Sequence, residues 1–185
     1  MSNASVTGKT VNINATQTQA AAQDGKQGSD VRVTAVTVGA LGGVGVGYAG
    51  IVNRGATDVD IADSSITGTE NVTVGATDES KHRSDILSVG VAAANVTTTF
   101  ASVENKSNVG VTLSGTNNIS SSGNVAIDAK KANTLEAHTQ GVGVGGVNVA
   151  VNHATIEDTG NAAAKITGTS GTFTADKFHL GATND

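Results

Sequence analysis

Four groups of residues have types and spacings that could do chemistry. Gly45-Val46-Gly47-Tyr48-Ala49-Gly50 satisfies the G-x-G-x-x-G pattern, whose glycines let a backbone approach a pyrophosphate. That use needs a helix to follow, because the helix N-terminus meets the phosphates, and no helical period follows here. The glycines read instead as small inward or turn residues of strands. Thr7-Gly8-Lys9-Thr10 ends like a phosphate-binding loop, but Asn3 stands where the first glycine belongs. It reads as a turn entering the strand around Val11. Asp58, Asp60 and Asp63 form the densest acidic cluster. Calcium-binding β-rolls, however, require a glycine-rich nonapeptide with Asp at fixed places, which is missing. A solvated strand face and turn accounts for the three carboxylates. Glu136 and His138 alternate with Leu135 and Ala137, so both point one way, with no third ligand or nucleophile nearby in sequence. The run Thr97–Thr99 is not a repeated T-x-T column of the kind that would bind ice. No catalytic, cofactor-binding or metal-ligating residue is assigned, and no cofactor is expected.

The elements that must carry these residues are set by a repeat. Residues 89–113 recur 53 positions on as residues 142–166, and about 52 positions back as residues 36–61 with one insertion. Seven sets correspond: Val44, Val96 and Val149; Tyr48, Phe100 and His153; Ala49, Ala101 and Ala154; Ile51, Val103 and Ile156; Asn53, Asn105 and Asp158; Val59, Val111 and Ala164; and Ile61, Leu113 and Ile166. A fixed period of this size signals a solenoid or array.

Composition agrees. Aromatic residues are 2% of the chain, so a core must be built from Val, Ile, Leu and Ala in thin layers. Proline is absent, where average usage predicts roughly nine; central strands exclude it because it cannot donate to a ladder. Without cysteine, neither disulfides nor thiolate zinc sites can form. A net charge of −5 with so few aromatics is a poor match to nucleic acid. The apolar windows are short and broken by Gly, Thr and Asn, so no membrane span is expected.

Period-two alternation runs through Val31/Val33, Val36/Val38, Val44/Val46/Tyr48, Val59/Ile61 and Val72/Val74, with turns such as Asn53-Arg54-Gly55 between. A closing strand at residues 5–16, with Val11 and Ile13 alternating, returns at residues 71–76, 124–129 and, more weakly, 172–175. Hairpins would want Asn-Gly or Asp-Gly turns between strong strands. The single Asp24-Gly25 does not lie between two such strands. The expectation is an all-β, parallel β-solenoid over residues 5–185, with repeats near 31–76, 85–129 and 138–177 and a loop or excursion at 17–30. Two coils of about 26 residues per repeat are expected from pairs such as Ile61/Leu87, Val72/Thr98, Val74/Phe100 and Val109/Leu135. Residues 1–4, Met-Ser-Asn-Ala, read as a vector-derived leader.

The order V-x-V-G-G-x-x-x-A-V-N, polar turn, A-x-I, then G-N-V-x-I-x-A is carried here by residues 142–152, 164–168 and 123–129. It resembles the repeats of large secreted bacterial surface proteins: the filamentous-haemagglutinin-like and leukotoxin-like adhesins exported by type V secretion. The resemblance implies a right-handed parallel β-helix, export to the cell surface and a role in attachment. On that footing the chain is expected to be a non-catalytic, stiff rod segment. Its partners would be flanking coils of a long chain and a receptor, protein or glycan, on a host or neighbouring cell. The alternative is a β-helical polysaccharide-active domain, which would need carboxylates gathered in one cleft and aromatic platforms for sugar rings. Two structural expectations accompany the reading. Val149, Val151 and His153 should face inward with Val44, Val46 and Tyr48, and the uncapped ends should tend to stack or aggregate.

Overall fold

The computed structural model describes residues 1–17, 29–168 and 170–185. Strand β1 (Ser5–Gln17) precedes three successive passes around the molecule. The first comprises β2 (Ser29–Val38), β3 (Gly43–Asn53), β4 (Ala56–Ala62) and β5 (Ser65–Asp78). The second is β6 (Lys81–Val91), β7 (Ala94–Asn105), β8 (Asn108–Ser114), β9 (Asn118–Ser121) and β10 (Asn124–Lys131). The third is β11 (Thr134–Val144), β12 (Val147–Asp158), β13 (Ala162–Ile166), β14 (Phe173–Thr174) and β15 (Lys177–Asn184).

Each strand pairs in parallel with its equivalent in the next pass, which makes four stacked sheets. Two are lateral, β2-β6-β11 and β3-β7-β12; a short sheet is β4-β8-β13; a closing sheet holds β1, β5, β9, β10, β14 and β15. The result is a solenoid-like, all-β stack. Parallel pairing follows from the repeat, since equivalent strands traversed in the same direction can only lie side by side that way. All seven sequence equivalences are strand partners, from Val44, Val96 and Val149 to Ile61, Leu113 and Ile166.

Three expectations need correction. Two coils per repeat are not seen: Val72 pairs with Val125, and Val125 with Phe178, so partners stand a whole repeat apart. The half-repeat pairs, Ile61/Leu87 among them, belong to different sheets. The short apolar strands looked alike at half the period because every side of the coil alternates. The fourth closing strand is also not residues 172–175. Phe173 and Thr174 pair with Ile119 and Ser120, while Phe178 and Leu180 continue the columns of Val125 and Ile127. The clue in sequence is Phe178-His179-Leu180-Gly181-Ala182-Thr183, which copies Val72-Thr73-Val74-Gly75-Ala76-Thr77 type for type. Finally, Gln17, Ser29 and Asp30 belong to strands, and residues 18–28 of the expected excursion lie outside the described residues. Ser2, inside the expected leader, forms a parallel bridge to Ala62.

The corners are joined by asparagine. The Oδ1 atoms of Asn117, Asn133, Asn71 and Asn108 accept the backbone N–H groups of Ser64, Ser80, Asn124 and Asn161, each 53 positions away. A corner residue therefore satisfies the neighbouring coil's backbone where the ladder is interrupted. The main core lies between the short and closing sheets. Ile61, Val74, Val111, Leu113, Ile119 and Ile127 have no exposed surface there. Each such side chain contributes about 1.5–3 kcal/mol through burial.

Candidate functional site

Among the described residues the chemically capable side chains are dispersed over faces and corners, apart from Arg83, Asp85 and His138, which line one open surface groove. Gly45 and Gly47 point into the narrow seam between the two lateral sheets, while Gly50 lies on the outer side beside the Tyr48 hydroxyl. A Cβ at Gly47 would stand 3.0 Å from the Ile86 side chain, and one at Gly45 2.6 Å from Thr37 Oγ1. These glycines let two sheets close together, and β4 follows them rather than a helix. Thr7, Gly8, Lys9 and Thr10 lie within β1, where the register shifts between Gly8 and Thr10 as at a bulge, and Lys9 Nζ pairs with Glu70 at 3.0 Å.

The three aspartates separate. Asp58 and Asp60 point outward from β4, whereas Asp63 turns the corner with φ of 49° and accepts the Thr116 N–H at 2.8 Å. The equivalent corner residue is Gly115, with φ of 69°, so the position selects for a left-handed conformation, open to Asp and Gly, rather than for a ligand. Among the described residues no group of three His, Asp or Glu side chains converges as a metal site would require.

Glu136 and His138 do share the outer face of β11, as their alternation predicts, and they belong to a charge ladder. Down the stack one column reads Asp30, Arg83, Glu136 and the next reads Arg32, Asp85, His138. Signs alternate among Asp30, Arg83, Glu136, Arg32 and Asp85, and the His138 imidazole closes the pattern. Arg32 contacts Asp30 at 3.0 Å and Asp85 at 3.7 Å; Arg83 contacts Asp85 at 2.7 Å and Glu136 at 3.7 Å; His138 lies 3.8 Å from Glu136. In sequence the pattern shows only once the 53-residue register is applied.

The expected inward column is reversed. Val44 (74% exposed), Val46 (66%) and Tyr48 (67%) face solvent, with Val96, Phe100, Val149 and Val151 in the same columns. His153 is exposed too, edge-on to Phe100 at 6.1 Å between ring centroids. The small residues face inward instead, Ala49, Thr97, Thr99 and Ala101 being buried. The physical reason is the seam's width: a layer of valines and aromatic rings would hold the sheets apart, whereas glycine, alanine and threonine allow contact.

Sequence reading missed a buried polar corner where the seam meets the main core. Asn53, Asn105 and Asp158 stack in one column: Asn53 Nδ2 donates to Asn105 Oδ1 at 3.0 Å, and Asn105 Nδ2 to Asp158 Oδ2 at 3.2 Å. Each also caps the N–H two residues on, at Gly55, Ser107 and Gly160. Lys131, with no exposed surface, reaches from the closing sheet to pair with Asp158. His82, 1% exposed, accepts from Asn53 Nδ2 at its Nε2, 3.1 Å away. Burial lowers its pKa from the ordinary histidine value, against the opposing pull of Asp78 and Asp158. Glu104, on the outer face of β7, is held below its usual range by its hydrogen bond to Lys106.

No protein-family model, curated protein or solved structure matches the chain. The class rests on the molecule itself: a solenoid-like stack of parallel sheets with apolar lateral faces, a charge ladder and a polar corner.

Proposed function

We propose that this chain is a non-catalytic structural and adhesive segment, a right-handed parallel β-helix belonging to a secreted bacterial surface adhesin or toxin-like protein. Type V export would carry it to the cell surface, where it spaces or forms a contact face for a receptor on a host or neighbouring cell. The observation that carries this reading is the outward set of large apolar side chains on the lateral sheets in every coil, from Val46 through Phe100 to Val151. Contiguous exposed apolar surface of this kind is kept where something binds. Stacked ladders supply the stiffness, since every coil satisfies the backbone groups of its neighbours.

Beads coated with the chain should adhere to eukaryotic or bacterial cells. Adhesion should fall several-fold when Val46→Lys, Phe100→Lys and Val151→Lys are combined. Release of reducing sugar from a polysaccharide panel, with no adhesion, would overturn the reading in favour of a glycan-active domain.

A further inference from the structure

We propose that the third-coil end of the stack is a selective docking edge for a fourth coil supplied in tandem by the same polypeptide, and that it rejects the first coil of a second copy. The fourth coil it fits carries a cation and then an anion, two residues apart, on its first lateral strand. The proposal deepens the reading of the chain as a rod segment and rests on it.

Inward-facing residues of the third coil are left uncovered. Ile166, Phe178 and Leu180 are 36%, 46% and 42% exposed, while Leu113, Val125 and Ile127, one coil below in the same columns, are fully buried. Strands β11, β12, β13 and β15 each pair on one side only, so their backbone ladders remain open toward the same end. A parallel strand set satisfies both needs at once.

The charge ladder states which coil fits. At the open end the two columns terminate in Glu136 and His138. A coil placed there continues the alternation if it sets a cation over Glu136 and an anion over His138. The first coil of another copy would set Asp30 over Glu136 and Arg32 over His138, anion on anion and a cation on an imidazole that offers it no counter-charge.

At the other end β1 lies beneath β5 as an extra strand. By charge, the third-coil end is matched by its own second-coil pattern, Arg83 followed by Asp85, and mismatched to its own first coil. Like charges set specificity here as effectively as the attractive contacts do.

The test appends residues 80–131 after Asp185, so that the added Arg83 and Asp85 fall over Glu136 and His138. A parallel version carries Arg83→Asp and Asp85→Arg in the added coil only. The first should melt several degrees above the 185-residue chain at low salt. The second should gain less, and the difference should shrink in 1 M salt. Equal gains for both charge orders at low salt would overturn the proposal. Should neither extended chain fold, the same exchange in the 185-residue chain still decides, because Arg83→Asp places an anion between Asp30 and Glu136. The expected result is a fall in Tm of about 3–6 °C, on the scale of one or two weak pairs, abolished by salt. An unchanged Tm would refute the ladder's role. Melting temperature is independent of cell attachment, so failure here and failure of the adhesive reading are told apart.

Discussion

The molecule has two interiors built on opposite principles. Between the short and closing sheets, Ile61, Val74, Leu113 and Ile127 interlock as a dry aliphatic core. Between the lateral sheets, the interior is a thin seam of Ala49, Thr97, Thr99, Ala101 and Ser88, into which Ile86, Ile51 and Val103 project as the buried large apolar side chains, with Val31 and Val33 half-buried beside them. The first gains its stability from buried area. The second gains little that way and relies on backbone ladders, close sheet approach and the polar corner around His82 and Lys131. The lesson is that one repeat can place its large residues on opposite sides of the backbone within a single coil. On the short and closing sheets they face inward, and on the lateral sheets the columns of Val44, Val46 and Tyr48 face outward while Ile51, Ile86 and Val103 face in.

The comparison is broken most severely by truncating the aliphatic core. Leu113→Ala lies in the middle coil, where cavity collapse is restrained above and below, and should cost about 2–5 kcal/mol. Urea unfolding measures it, and a loss under about 1 kcal/mol would mean that the two interiors are not different in kind.

The polar corner comes next. Lys131→Met removes a buried cation and leaves Asp158 without its counter-charge, held by the Asn105 amide and the Gly160 N–H. Because Asp158 keeps 30% of its side chain exposed, solvent relieves part of the penalty, and a loss of about 1–3 kcal/mol is expected. A stabilised variant in the same unfolding assay would show that the pair is dispensable.

A smaller effect separates the interiors by pH. The buried ring of His82 has a folded pKa below its unfolded value of about 6.5. Between those two values the unfolded chain binds more protons, so stability rises with pH. The contribution is fully present above the unfolded value and is lost as pH falls toward the depressed folded one. Equilibrium unfolding at about pH 7.5 and about pH 5, on either side of the ordinary histidine value, should show a loss on acidification that His82→Gln reduces. An identical pH dependence in both proteins would remove His82 from the account.

The smallest effects belong to the outer lateral face. His153→Phe and His153→Asp should both change stability by no more than about 0.5 kcal/mol, because the position is exposed. A large penalty confined to the aspartate in thermal unfolding would mean that this face is covered in solution.

Much of this arrangement was legible before any coordinates. The seven equivalences emerged as strand partners, and the absent proline matched the parallel ladders. Glu136 and His138 shared a face as their spacing required. The polar corner was legible only as the column of Asn53, Asn105 and Asp158; its partners His82 and Lys131 come from other strands and carry no local pattern. The charge ladder was not legible, because its members lie 53 positions apart and look like scattered surface charges until aligned.

Alternation by itself determined which residues share a face: Val44 with Val46 and Tyr48, Gly45 with Gly47 and Ala49. It could not determine which of those faces is the inside, because a period of two is the same pattern seen from either side of a sheet. Tertiary structure decided that. Where the lateral sheets press together, only side chains no larger than the gap fit between them, and a would-be Cβ at Gly47 already stands 3.0 Å from Ile86. The valines and rings are therefore turned outward by the closeness of the opposite sheet, a distance set between strands and written in neither one alone.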